Sequence, residues 1–331
     1  MRATFTQDQS DIAKTVEAIA ATAAGETRAC LSAPWQPPSI DAVLLTDFSV
    51  LGVPERAGGV GSSLVDLMVA VETLGRALVP TSFAAHATAV QLMVDSGADL
   101  TAALDGSARW TYAVDEPGLA GWPTSGSPRK TLVPCVATAD AVVAADGNGV
   151  RLVLPQEVRA RASFDASRPM SDVRVPAGES LPLGRGLQRA TLVAAAEMCG
   201  VAQGAIALAG SYARTRQQFG RVIGSFQGVA FQLAEAVAQA KAAWDLTVHA
   251  AWAVENGKPE AEMQVHAAKA SAGRAAVFAA ERCIQVHGGM GITMEADPHL
   301  FLRRAMVLDA GLGSAAWHRR RVGALRIAAY R

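Results

Sequence analysis

The sequence is short of net charge, of cysteines and of metal-ligand patterns. Lys and Arg together number 30, and so do Asp and Glu, so the 331-residue chain carries no net field of the kind that attracts nucleic acid or an anionic membrane. Its four cysteines are scattered without CxxC spacing, which indicates reduced thiols, and its six histidines show no metal-ligand spacing. We therefore predict no nucleic-acid partner, no membrane association and no metal site.

The sequence also has little that indicates export or membrane insertion. Residues 1–10 are polar and lack the apolar core of a signal peptide. The only long apolar run, 190–210, is rich in Ala and Gly and carries Glu197 and Gln203 near its middle, which predicts a buried helix instead of a membrane span. We expect a cytoplasmic protein.

Apolar residues, in contrast, are plentiful enough for more than one core, since they make up half of the chain. Their spacing changes twice. Residues 1–108 have a helical period, residues 109–186 have short apolar runs between turn residues, and residues 187–331 return to longer helical patterns. We predict an N-terminal helical domain, a small, shortened middle β domain and a C-terminal helical domain similar to a four-helix bundle.

The patterns also predict individual elements. In the middle domain the apolar runs predict strands at 130–136, 139–145, 150–154 and 172–175. In the C-terminal domain one helix is predicted over about 260–285, where it ends against a glycine pair. In another predicted helix, apolar residues recur every three or four positions and so predict one apolar face, made of Leu233, Val237, Ala240, Trp244, Val248 and Ala251.

Two C-terminal motifs have the composition of a dinucleotide-binding surface. The first extends from Arg216 to Gln227, and the second spans residues 285–291 around Gly288 and Gly289. A pyrophosphate needs positive charge and backbone donors, glutamines can hydrogen-bond ribose or adenine, and a Phe ring offers an apolar face. The candidate cofactor-binding residues are Arg216, Gln218, Phe219, Gln227, Gln285, Gly288 and Gly289. The alternative is that Arg216 is a solvated helix-end charge and the glycines form only a helix cap.

The same motifs resemble those of acyl-CoA dehydrogenases, and the resemblance covers nearly the whole chain. The segment Arg216-Gln217-Gln218-Phe219-Gly220 with Gln227 downstream is similar to the family's Arg-x-x-Phe-Gly and Gln pattern, and Gln285 to Gly291 is similar to its glycine-rich turn. The resemblance implies the acyl-CoA dehydrogenase fold and FAD as cofactor. It also implies that these residues reach across a subunit interface and bind the ADP half of an FAD held mainly by a neighbouring subunit.

The sequence departs from the family at the residues that do the chemistry. Leu312 in Gly311-Leu312-Gly313-Ser314 stands where many members have the glutamate base, and Ala190, ten residues before Gly200, occupies the family's alternative base position. Asp115 replaces the hydroxyl residue of the family's Thr-Glu-Pro-Gly. The stretch 132–135 lacks the usual Trp and Ser or Thr. We predict no catalytic residue on this chain, and a flavin and acyl-CoA pocket of its own that is degraded or closed.

These features favour the non-catalytic subunit of an FAD-dependent acyl-CoA dehydrogenase complex. Its predicted partner is a homologous catalytic subunit in an α2β2 assembly that supplies the base and holds most of the acyl-CoA. The resemblance to the family implies a steroid side-chain thioester as the substrate. An electron-transfer acceptor would reoxidise the flavin. Two alternatives remain: a homo-oligomeric enzyme with an unconventional base such as Glu197 or Asp309, and a non-enzymatic scaffold subunit without flavin.

Overall fold

Helices form both ends of the chain, and strands form its middle, in a computed structural model that describes residues 5–124, 126–147 and 149–329. The N-terminal helices are α1 (Gln7–Thr22), α2 (Glu26–Ala29), α3 (Ile40–Phe48), α4 (Leu64–Arg76), α5 (Phe83–Met93) and α6 (Thr101–Leu104). The strands of the middle part are β1 (Trp110–Ala113), β2 (Arg129–Pro134), β3 (Ala141–Asp146), β4 (Gly149–Val153), β5 (Glu157–Arg161), β6 (Met170–Arg174) and β7 (Leu181–Pro182). The C-terminal part contains α7 (Gly186–Thr215), the hairpin β8 (Gln217–Gln218) and β9 (Arg221–Val222), α8 (Gln227–Glu255), α9 (Ala261–His287), α10 (Pro298–Ala310) and α11 (Ala315–Ala329).

Capping residues determine where two of the N-terminal helices begin. At the start of α1 the Thr6 hydroxyl accepts the backbone N–H of Gln9, and the Gln9 side chain accepts the N–H of Thr6. Ser63 and Asp66 form the same reciprocal pair at the start of α4. Each reciprocal pair satisfies two backbone donors that a helix start would otherwise leave open. The Gln9 amide also donates to Asp66 Oδ1 at 2.9 Å, which joins the two helix starts.

The middle part folds as two small sheets. One has the order β1-β3-β4-β7, with β1 and β3 parallel, and the other is the antiparallel order β2-β6-β5. The four predicted strands are confirmed as β2, β3, β4 and β6, with ends shifted by at most two residues. The prediction missed β1, β5 and β7. In β5 every residue is exposed, so no apolar alternation indicated a strand there.

Helix α7 lies at the centre of the C-terminal part and packs against α4, α5, α8 and α9. Glycines allow the closest approach: a Cβ at Gly200 would lie 2.0 Å from the carbonyl oxygen of Glu72, and one at Gly204 would lie 2.3 Å from that of Arg76. Although α7 is long and apolar enough to cross a membrane, 78% of its most apolar window is buried within the fold. The burial agrees with the prediction of a core helix.

Two predictions about the C-terminal helices had different outcomes. The helix predicted over about 260–285 is confirmed as α9. The predicted apolar face of α8 is partly wrong, because Val237 is 51% exposed and Ala236, Ala243 and Ala250 are buried instead. Small alanines let α8 approach its neighbours closely, so the buried stripe follows them.

The predicted order of helices, small sheets and helices is confirmed. The boundaries at 108/109 and 186/187 stay a prediction. Elements change type between Leu104 and Trp110 and between Pro182 and Gly186.

Candidate functional site

The two C-terminal motifs, 216–227 and 285–291, meet at one end of the C-terminal helices. Tyr212, in the last turn of α7, stacks on His287, the last residue of α9, with ring centroids 4.2 Å apart and planes 22° from parallel. Near the start of α8, Gln232 Oε1 accepts a hydrogen bond from Arg282 of α9 at 3.4 Å. The end of α7, the start of α8 and the end of α9 therefore present their residues on one surface.

All seven candidate cofactor-binding residues lie exposed on that surface, and that they bind a nucleotide stays a prediction. They are Arg216 after α7, Gln218 in β8, Phe219 in the hairpin turn, Gln227 at the start of α8, Gln285 in the last turn of α9, and Gly288 and Gly289 after it. Among the residues that the structure describes, the Arg216 guanidinium makes no hydrogen bond or ion pair. It is therefore free to receive an anion.

Phe219 is the most exposed large apolar side chain on this surface. The residue is 92% exposed, and its backbone lies in the left-handed region at φ +52°, which an aromatic residue rarely adopts. The hairpin turn with Gly220 at φ +78° holds it there. A strained residue that presents an apolar ring to solvent is typical of a site that meets a ligand or a partner.

The glycine pair also fits a ligand that approaches the backbone closely. Gly288 has φ +61° and ends α9, so its glycine is explained by the helix end alone. Gly289 has no positive φ, and a Cβ on either residue would meet nothing within 4 Å. The fold itself thus does not require a glycine at 289, and the space above the pair is open for a phosphate group.

The residue predicted to stand at the family's base position is held inside the protein. Leu312 is completely buried with φ +57°, and its backbone N–H donates to both carboxylate oxygens of Asp115, at 3.0 and 3.1 Å. Burial raises the pKa of Asp115 to about 6, against the opposing effects of the Leu312 N–H, Lys269 and Lys130. Ala190, at the alternative base position, is also fully buried.

Aromatic rings fill the space beside Leu312. The ring of Trp122 lies 4.7 Å from that of His266, 6.0 Å from that of Trp317 and 6.1 Å from that of His318, and its indole N–H donates to Thr191 Oγ1 at 3.1 Å. We call these four rings the Trp122 cluster. Its packing leaves no room for a methyl group at Gly121, whose Cβ would lie 2.0 Å from Trp317 Cε2.

Hydrogen bonds attach the cluster to the 311–313 loop. His318 Nε2–H donates to the Leu312 carbonyl at 3.0 Å, so its Nδ1 accepts from His266 Nδ1–H at 2.7 Å. Burial, and secondly the positive charge of Lys269, lowers the pKa of His318 to about 3. Burial lowers the pKa of His266 to about 4. The buried Lys269 donates to the carbonyls of Leu308 and Gly313 at 3.2 and 3.1 Å, and burial lowers its pKa to about 8. The loop is thus fixed by Asp115, His318 and Lys269.

No sequence motif predicts the Trp122 cluster. Its histidines are 52 residues apart and were assigned no role, and Trp122 and Trp317 belong to no motif. Only the tertiary fold brings them together.

The two carboxylates considered as unconventional bases both have structural partners. Glu197 accepts from Arg168 at 2.6 Å and from Arg304 at 3.2 Å, and Arg304 also pairs with Asp165 in the same buried network. Asp309 Oδ1 accepts the N–H of Ala315 at 2.8 Å, at the start of α11.

Comparisons with known proteins agree with the fold and the motifs. The family described as acyl-CoA dehydrogenase, C-terminal domain, matches residues 183–325. The chain is 32% identical to the acyl-CoA dehydrogenase IpdE2 of Mycobacterium tuberculosis over 265 residues, which cover 78% of this chain and 76% of IpdE2. It is 33% identical to the acyl-CoA dehydrogenase FadE34 of the same organism over 358 positions, which cover the whole chain but only 50% of FadE34.

Among solved structures, the chain is similar to a variant of the Tcur3481-Tcur3483 steroid ACAD, with a TM-score of 0.88, 25% identity, and coverage of 98% of this chain and 99% of that one. The chain thus spans half the length of FadE34 and nearly all of the solved chain. FAD is the usual cofactor of acyl-CoA dehydrogenase family members. By its identity to IpdE2 over most of both chains, and by its fold, the protein belongs to the acyl-CoA dehydrogenase family of oxidoreductases.

Proposed function

We propose that this chain is the non-catalytic subunit of a heteromeric, FAD-dependent acyl-CoA dehydrogenase that desaturates an acyl-CoA thioester at its α and β carbons. The observation that carries the proposal is Leu312, a fully buried aliphatic residue at the family's base position, tied by its N–H to Asp115. The chain contributes the ADP side of an interface FAD, and its partner contributes the base.

The reaction requires a carboxylate that this chain does not present. The α-proton of the thioester must go to a base as hydride leaves the β-carbon, and bound FAD supplies the hydride acceptor. Neither Leu312 nor Ala190 can accept a proton. The Trp122 cluster packs beside the fully buried Leu312, which supports a pocket of this chain's own that is closed to a flavin and a thioester.

The surface around Arg216 supports the other half of the proposal. A guanidinium without an internal partner, open backbone at Gly288 and Gly289, and an exposed Phe219 ring suit a pyrophosphate and an adenosine. These residues are exposed, whereas Leu312 is fully buried beside the Trp122 cluster. We infer that a cofactor bound at the exposed residues has its flavin ring on another subunit.

For the partner and the substrate we propose a homologous catalytic subunit in an α2β2 assembly, with most of the acyl-CoA on that subunit. The similar solved structure carries two names, Tcur3481 and Tcur3483, and is described as a steroid ACAD. It supports a two-component complex and a steroid side-chain thioester. An electron-transfer acceptor and a cytoplasmic location complete the proposal.

Two alternatives are less well supported. A self-sufficient enzyme would need Glu197 or Asp309 as its base, yet Glu197 is bonded to two buried arginines and Asp309 accepts the N–H of Ala315. A scaffold without flavin would have no use for an open, positively charged nucleotide surface.

The Arg216→Gln variant, co-purified with its catalytic partner, tests the proposal. We expect the complex to assemble but to lose most of its FAD, measured as released flavin per complex. Arg159→Gln is the control, since Arg159 lies on the exposed strand β5. Full retention of FAD by the Arg216→Gln complex would contradict the proposal. It would leave the alternative that this chain is a scaffold that does not itself bind the flavin.

A further inference from the structure

A second charged site lies at the opposite end of α7 from the nucleotide motifs. A cleft of about 180 Å³ opens where the start of α7 meets the ends of α5 and α8. Its lining includes three arginines, Arg56, Arg185 and Arg189, and two carboxylates, Asp95 and Glu255. The arginines give the cleft an excess of positive charge.

Arg189 is the residue that marks the cleft as a binding site. It is only 6% exposed, its Nε donates to Gln91 Oε1 at 2.8 Å, and its Nη2 donates to the carbonyl of Gly52. Within the described ranges of the chain, no carboxylate lies within 4 Å of its guanidinium, and Nη1 makes no hydrogen bond. Buried charges in proteins are almost always paired, so this one lacks a counter-ion.

The carboxylates of the cleft are already engaged elsewhere. Asp95 pairs with Arg56 at 2.7 Å and accepts the backbone N–H of Arg185 at 3.1 Å. Glu255 accepts the N–H of Leu64 at the start of α4, at 3.0 Å. Burial lowers the pKa of Arg189; Asp95 and Glu255 oppose this, and Arg56 and Arg185 add to it. Two fixed carboxylates thus do not neutralise three guanidiniums.

The helix ends around the cleft also matter. Arg185 donates to the carbonyl of Val254 at 2.5 Å and so covers the last turn of α8, where a helix end is negative. The first residues of α7 have no side-chain cap, and the positive end of this 30-residue helix faces the same region. Both the unpaired guanidinium and the helix start favour an anion.

We propose that this cleft binds a phosphate-type oxyanion, with Arg189 pairing from the floor and the 64%-exposed Arg56 closing from the mouth. The forked donors of arginine suit phosphate oxygens. The same chemistry could come from free phosphate or from a phosphate of an adenine nucleotide such as coenzyme A.

Calorimetric titration of the purified protein at constant ionic strength, with inorganic phosphate and separately with coenzyme A, tests the proposal. We expect saturable phosphate binding that Arg56→Gln and Arg189→Gln each weaken about ten-fold or more, the loss expected for a charged hydrogen bond. Arg214→Gln, at the other end of α7, should bind as the wild type does.

The two titrants separate the sources. Tighter binding of coenzyme A, lost in the same variants, assigns the site to a nucleotide phosphate, whereas equal affinities assign it to free phosphate. Absence of binding at millimolar phosphate and coenzyme A, or binding that Arg56→Gln leaves unchanged, overturns the proposal. Because Arg56 is on the surface, its variant decides the question even if Arg189→Gln fails to fold.

Discussion

Both carboxylate oxygens of Asp115 accept the backbone N–H of Leu312, at 3.0 and 3.1 Å, across 197 residues of sequence. The resemblance places one residue at the position of the family's flavin-contacting hydroxyl and the other at the position of its base. Their direct contact shows that these two departures from the family pattern are structurally linked.

Replacing Asp115 with Asn should change how stability depends on pH. The pKa of Asp115 rises from 3.8 to about 6 on folding, so the folded state binds its proton more tightly. Its contribution to stability is therefore complete below about pH 4 and is lost as the pH rises through 6. Asn mimics the protonated acid. We expect Asp115→Asn to match the wild type near pH 4 and to exceed its free energy of unfolding by at most about 3 kcal/mol above pH 7. Denaturant unfolding at several pH values measures the difference. A difference independent of pH would contradict the account.

Restoring a glutamate at position 312 should not restore a base. The Leu312→Glu side chain would enter a dry site beside Trp122 and His318, and an unpaired buried carboxylate costs about 3 kcal/mol or more. We expect a strongly destabilised chain without acyl-CoA desaturating activity. Leu312→Met, which conserves volume, should cost less than about 1.5 kcal/mol. A well-folded, active Leu312→Glu chain would show that the pocket is open.

The tight packing of the Trp122 cluster can be tested with one methyl group. Gly121→Ala places a Cβ within 2.0 Å of Trp317, so we expect a loss of about 1 to 3 kcal/mol in the free energy of unfolding. Gly178→Ala meets nothing within 4 Å and serves as the matched control, with a change near zero. Equal stabilities of the two variants would mean that Trp317 moves freely.

Glu197 should act in stability and not in catalysis. Glu197→Gln removes the shared partner of Arg168 and Arg304, both buried, so the free energy of unfolding should fall by about 3 kcal/mol or more. Glu281→Gln is the control, because its pair with Arg282 is half exposed at 3.8 Å and should contribute little. A stable Glu197→Gln chain that loses desaturating activity would instead favour Glu197 as the base.

Local patterns predicted much of the fold, and the failures have physical causes. The end of α9 was predictable because a glycine pair follows a long helical period. The buried face of α8 was mispredicted because hydrophobicity favoured Leu233 and Val237, whereas close helix packing selects alanines such as Ala236 and Ala243. Strand β5 has no buried residue, so pairing with β6 alone defines it.

The candidate site likewise has one part that local sequence patterns predict and one part that they do not. Arg216, Phe219 and the 285–289 turn are local motifs, and their exposure follows from their place at helix ends. The contact of Asp115 with Leu312 and the Trp122 cluster depend on residues from distant segments. No local pattern specifies such contacts, and the sequence indicated a different pocket only through its departures from the family pattern at Leu312, Ala190, Asp115 and 132–135.

The most direct test of the central claim is to count subunits and FAD in the complex formed when this chain is co-expressed with a homologous acyl-CoA dehydrogenase. We predict an α2β2 assembly with two FAD molecules, whose activity disappears when the partner's glutamate base is replaced. If the chain alone instead purifies with one FAD per subunit and desaturates acyl-CoA, the account is contradicted.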